Sequence, residues 1–127
     1  MIYGVGTDLI EIPRIEAALR RFGARFAQRI LCPPELRRFE GHRQPAAYLA
    51  KRFAAKEAVT TALGTGIHAP ANWHGVWVVN LRSGKPALEF TPALRALMDA
   101  RGVGHAHLSL TDERTLASAT VVLEAHA

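Results

Sequence analysis

A chain of 127 residues is the length of one ordinary domain and can bury a core without disulfide or metal staples. Sixteen Lys and Arg against 11 Asp and Glu give a formal charge of +5, and 49% of the residues are apolar, which excludes a disordered chain and favours an anionic partner: nucleic acid, phosphorylated metabolite or acidic protein. The single Cys32 excludes an internal disulfide framework, MIYGVGTDLIEI lacks the basic start and long apolar run of a signal peptide, and no stretch has the length of a membrane span; a cytoplasmic protein is expected.

Ile2 to Ile10 alternates as a strand does, with Tyr3, Val5, Thr7 and Leu9 on one face and Ile2, Gly4, Gly6, Asp8 and Ile10 on the other. Pro13 suits the first turn of a helix with the apolar stripe Ile15, Leu19 and Phe22, which Gly23 interrupts or ends. Phe26 and Ile30 predict a further helical segment stopped by Pro33 and Pro34, and a short helix follows from about Pro34 to Glu40. A longer helix runs from about Ala46 to Leu63, closed by Gly64 and Gly66. After the loop IHAPANWHG, the runs Val76 to Leu81 and Ala87 to Phe90 flank RSGKP and predict a hairpin. Thr91 and Pro92 supply the N-cap and first-turn proline of a helix to about Arg101, with Gly102 as its terminator. The final HAHLSLTDERTLASATVVLE reads as two strands joined around Asp112 to Arg114, with His105, His107, Ser109 and Thr111 on one face of the first. No repeat, linker or low-complexity tract interrupts this order, so the expected fold is a single α+β domain over 1–127.

The long helix carries KRFAAKEAVTTALGTG, and its charges need an account. At roughly 100° per residue, Leu49, Phe53, Thr60 and Leu63 cluster on one side, Lys56 projects into that cluster, and Arg52 and Glu57 flank it. If that side faces the core, the charges sit near the burial boundary, where an unpaired charge is costly. Two accounts fit: cations snorkelling along the surface with Glu57 paired to a neighbour, or an anion site in which Arg52 and Lys56 meet phosphate and Glu57 is an oxygen ligand to a divalent cation. Asp8 favours the second, because a carboxylate on a glycine-lined strand face has less structural excuse than one at a loop tip. Mg²⁺ typically takes one or two protein carboxylates and leaves its other positions to water and phosphate, a pattern that Asp8 with Glu57 would satisfy.

GVGTDLIEIPRI, RFAAKEAVTTALGTGI and HLSLTDERTLASATVVLE, in that order and in a chain of this length, resemble the holo-acyl-carrier-protein synthases, the small bacterial 4′-phosphopantetheinyl transferases. The resemblance implies a phosphopantetheinyl transferase-like domain, an antiparallel sheet packed with helices, assembled as a homotrimer with active sites at the subunit interfaces. It implies transfer of the phosphopantetheine arm of coenzyme A to a serine of apo acyl carrier protein, with Mg²⁺, release of adenosine 3′,5′-bisphosphate and a place in fatty acid biosynthesis. Carried over to this chain, it makes Asp8 and Glu57 the metal ligands and places Arg52 and Lys56 on the coenzyme-A-binding helix. Gly64 and the Gly84 to Pro86 turn fall where the nucleotide pocket is shaped, and His107 falls in a motif associated with catalysis and cofactor binding. Two departures stand out: Thr60-Thr61 replaces a common Ser-Lys pair, and His107, Ser109, Thr111 and Asp112 replace a common His-x-Ser-x-Ser-His.

Phosphoryl transfer asks a protein mainly for positioning and charge neutralisation. On this reading Lys56 adds positive charge to the developing oxyanion, and Glu57 through a metal-bound water, ahead of His107, takes the serine proton. None of the six histidines forms a pair at metal-binding helical spacing, and core or interface packing accounts for His105 and His107 as readily as catalysis does. Every charge from residue 17 to 34 is positive, and Arg14, Arg21 and Arg25 would align if the helix ran on through Gly23; the resemblance implies that basic residues of the first helix dock an acidic carrier protein, and assigns that role to these three. The rival classes are a basic nucleic-acid-binding module, which leaves Asp8 and Glu57 unexplained and lacks an aromatic stacking platform, and a Mg²⁺-dependent nucleotide hydrolase, which does not need the basic helix. The expected partners are therefore coenzyme A and acyl carrier protein, with neither nucleic acid nor membrane.

Overall fold

A computed structural model describes residues 1–127. The first strand, β1 (Ile2–Glu11), leads directly into α1 (Ile12–Phe22); α2 (Ala24–Ile30), α3 (Pro33–Phe39) and α4 (Pro45–Leu63) follow. The hairpin β2 (Val76–Asn80) and β3 (Pro86–Phe90) comes next, then α5 (Pro92–Ala100) and the closing strands β4 (Val103–Glu113) and β5 (Leu116–Ala125). Each predicted element is present. Where α1 and α2 meet, Gly23 adopts φ 63°, a conformation that favours glycine, and the helix breaks there. Arg14 and Arg21 thus lie on α1 and Arg25 on α2, instead of on one continuous helix.

In the antiparallel sheet β5 lies between β1 and β4, while β2 and β3 form a separate two-stranded ribbon. One face of the sheet is covered by α4, and Gly4 and Gly6 make this possible. A Cβ at Gly6 would overlap the carbonyl oxygen of Ala58, and one at Gly4 would overlap that of Ala62, so the helix backbone rests directly on β1. Ala50, Ala54, Ala58 and Ala62 are all buried along α4. On the other sides α4 is packed by α1, α2, α3 and β2.

This arrangement corrects the expected exposure of α4. The helix does not have one core face with charges at its margin; Arg52, Lys56 and Thr60 are buried along with Leu49, Val59 and Leu63. On the side of α4 that carries Arg52 and Lys56, the packing of α2, α3 and β2 leaves no solvent for a long cation to snorkel toward. Its C-terminus is closed by Gly64 at φ 81°, whose N–H donates to the Thr60 carbonyl, and by Arg101 Nη1, which donates to the Leu63 carbonyl at 2.8 Å.

Candidate active site

Asp8 and Glu57 come from the two elements that the glycine contact brings together. Asp8 shares the helix-facing side of β1 with Gly4, Gly6 and Ile10, and both carboxylates are half-buried. Burial raises the proton affinity of Asp8, opposed by a hydrogen bond from the Leu9 N–H and by the Arg14 charge. Burial also raises that of Glu57, and the negative charge of Asp8 raises it further. Two carboxylates that are desolvated and repel one another are poorly stabilised as anions, and a divalent cation between them would relieve both terms. The donor set fits Mg²⁺, which binds through one or two carboxylates plus water and phosphate. No cluster of three or more His, Cys, Asp or Glu side chains offers a fuller cage.

Lys56, one residue from Glu57, has the opposite environment. Its side chain is wholly buried, and its Nζ donates to the carbonyls of Ile30 at 2.6 Å and Trp73 at 2.7 Å and to Glu35 Oε1 at 2.7 Å. An ammonium has three protons, so all of them have protein partners. The expectation that Lys56 presents its charge to phosphate is therefore corrected: the ammonium is turned into the protein by a buried carboxylate. That carboxylate, Glu35, was not anticipated as a site residue. It also accepts from the backbone N–H of Cys32 and of Val78, both at 2.9 Å. Its only sequence signal is a place as one of two acids in an arginine-rich stretch, at the third position of a short proline-led helix.

Arg52 is buried too. Its guanidinium lies 4.0 Å from the Tyr48 ring centroid, its Nη2 donates to Asn80 Oδ1 at 3.1 Å, and its Nε has no hydrogen-bond partner and sits 4.0 Å from Glu35 Oε2. Asn80 Oδ1 also accepts from Arg38 Nη1 at 2.8 Å, and Asn80 Nδ2 donates to the Gly84 carbonyl at 3.1 Å. Arg52 is thus joined to the turn that leads to Pro86, the first residue of β3. Gly64 is not part of this group: twelve residues along α4 place it about 18 Å away, at 1.5 Å per residue. His107 is separated from the carboxylates in a different way. It projects from the uncovered face of β4 and is hydrogen-bonded to Glu124, whose carboxyl that contact holds below its usual range. Asp8 faces α4 on the opposite side of the sheet.

Beside this site, Arg21, Arg25 and Arg29 rim a surface groove of about 640 Å³ whose apolar wall includes Phe26, Phe53 and Trp73. The Phe53 and Trp73 rings pack 4.9 Å apart. A basic rim over an aromatic floor suits an acidic, partly apolar protein surface. Arg14 lies outside the groove, close enough to Asp8 to lower its proton affinity.

The family model of the 4′-phosphopantetheinyl transferase superfamily matches residues 4–119. A holo-[acyl-carrier-protein] synthase of Vibrio parahaemolyticus is 50% identical over 123 residues, 97% of this chain and 98% of its own length. The crystal structure of such a synthase from Neisseria meningitidis superposes with a TM-score of 0.94 at 42% identity, covering 98% of this chain and 99% of that one. The chain belongs to the holo-acyl-carrier-protein synthase family of phosphopantetheinyl transferases. A Bacillus anthracis member of the family, solved in complex with CoA (3′,5′-ADP), superposes with a TM-score of 0.84 at 35% identity, covering 99% of both chains. The Thr60-Thr61 pair is split by the fold. The Thr60 hydroxyl is buried and donates to the Glu57 carbonyl at 3.0 Å, whereas Thr61 is exposed. Asp112, the other departure, forms an ion pair with Lys51 at 3.3 Å.

Proposed function

We propose that this chain transfers 4′-phosphopantetheine from coenzyme A to a serine hydroxyl of apo acyl carrier protein, with Mg²⁺ held by Asp8 and Glu57. Adenosine 3′,5′-bisphosphate is the second product, and the holo carrier supports fatty acid synthesis in the cytoplasm. The observation that carries this reading is the pair of desolvated, mutually repelling carboxylates on β1 and α4, beside a basic groove, in a member of a transferase family. A bound Mg²⁺ supplies Lewis acidity toward the pyrophosphate of the donor. Glu57, whose proton affinity is raised, is the residue placed to take the serine proton through an intervening water. Arg52, through Asn80, supports the Gly84–Pro86 turn as part of the nucleotide pocket, and Arg14, Arg21 and Arg25 receive the acidic carrier.

The active assembly is a homotrimer. In support, the face of the sheet opposite α4 leaves Val5 54%, Leu9 65% and Leu116 39% exposed, an apolar strip beside His105, His107, Ser109 and Thr111. Assembly through this face is the route by which His107 from a neighbouring copy would join a site that one chain leaves incomplete. The decisive experiment mixes the protein with coenzyme A, Mg²⁺ and an apo carrier protein and weighs the carrier. A mass gain of one phosphopantetheine group, lost in Asp8→Asn and on chelation of the metal, is expected. An unmodified carrier together with tight DNA binding would refute the reading. Sedimentation analysis of the purified chain tests the trimer, which a monomer under assay conditions would exclude.

A further inference from the structure

Lys56 ties together five parts of the chain. Its ammonium holds the last carbonyl of α2 at Ile30, the Trp73 carbonyl in the loop before β2, and Glu35 on α3, while Lys56 itself belongs to α4. Glu35 extends the link to β2 through the Val78 N–H and to the start of α3 through the Cys32 N–H. Both residues whose carbonyls Lys56 holds, Ile30 and Trp73, also line the basic groove. The next residue along α4 is Glu57.

We propose that Lys56 is a positioning residue: it holds the α2 end and the Trp73 loop against α4, and so sets the distance between the carrier-docking groove and the Asp8–Glu57 pair. The inference rests on the transfer reading above and deepens it. No neutral side chain of similar length offers three donors in three directions to two carbonyls and a carboxylate, which is the chemical reason for a lysine in a wholly buried position. With its three protons engaged, the ammonium has none left for a phosphate oxygen. A serine carried by a docked protein must arrive in line with the reacting phosphorus, and misplacement by about 1 Å costs on the order of a hundredfold in rate. A rigid link between groove and metal pair supplies that alignment.

The wild-type enzyme gives a test that needs no variant. Its lysines are Lys51, Lys56 and Lys85, so ¹⁵N-lysine labelling gives a resolvable set of side-chain signals. The Lys56 Nζ signal should be protected from solvent exchange and unmoved by coenzyme A with Mg²⁺; a signal that shifts on adding the donor would overturn the proposal. The second test is the double variant Lys56→Met/Glu35→Gln, which removes the Lys56–Glu35 ion pair and leaves Arg52, whose Nε lies 4.0 Å from Glu35 Oε2, facing a neutral amide. Its kcat/KM for carrier should fall by about tenfold to a hundredfold while the apparent KM for coenzyme A stays within about twofold. In a Trp77→Phe background the same variant should expose Trp73 to acrylamide quenching. A raised KM for coenzyme A with an unchanged kcat/KM for carrier would assign Lys56 to phosphate instead. Failure of the wild-type enzyme to modify the carrier would overturn the transfer reading, whereas the exchange and quenching measurements report on the clamp by themselves.

Discussion

Lys56 and Glu57 are adjacent on α4, and the protein treats their charges in opposite ways. The Lys56 ammonium is sealed from water and has a carboxylate and two carbonyls within 2.7 Å. Glu57 is only half-buried, yet its nearest strong electrostatic neighbour is another carboxylate. Burial alone therefore does not mark a working residue. The deeper charge is the satisfied one, and a satisfied charge holds structure; the shallower pair is unsatisfied, and its missing counter-charge is what a ligand would bring.

The comparison is broken most directly by removing the unsatisfied side. Asp8→Asn or Glu57→Gln should lower transfer by about a thousandfold or more, measured as holo carrier formed, while thermal unfolding shows a folded protein. Removing the satisfied side should act on the fold instead. Lys56→Met leaves buried Glu35 with the more distant Arg52, 4.0 Å away, as its only cation, and denaturant titration should show a loss of about 3–5 kcal/mol, partly recovered when Glu35→Gln is added.

The pH dependence of the metal-free protein sharpens the contrast further. Asp8 and Glu57 both have folded proton affinities above their ordinary values of 3.8 and 4.5. Their contribution to stability is complete below those values and is lost as pH rises through the raised folded ones. Asp8→Asn should therefore unfold at a higher temperature than the wild type at neutral pH without metal. Mg²⁺ at a hundred times its dissociation constant should add about 2.7 kcal/mol to the wild type and little to the variant. Equal responses to Mg²⁺ in both proteins would remove the carboxylates from the metal site. The smallest effect belongs to the exposed charges: Arg21→Glu should weaken carrier binding and flatten its salt dependence, at about 0.2–1 kcal/mol per charge in titration calorimetry.

The order of elements was legible because its signals are local. Alternation marks β1, prolines open α1, α3, α4 and α5, and glycines close or break α1 and α4, each acting within one or two turns of chain. Asp8 and Glu57 are singled out in the sequence for a related reason, since both stand where their own element gives a carboxylate no local partner. Arg52 and Lys56 were assigned to phosphate because a helix drawn alone has an outside. Glu35, which turns Lys56 inward, lies 21 residues away, and nothing in the spacing announces that α3 will fold over α4.

By itself, then, the sequence determined the α+β order and the family, both of which depend on patterns within short segments or on their order along the chain. Only the tertiary structure decided which charges are satisfied. Whether a side chain faces water, a counter-ion or a second carboxylate depends on which segments pack against it, and here Gly4 and Gly6 on one side of α4 and Glu35 on the other made that choice.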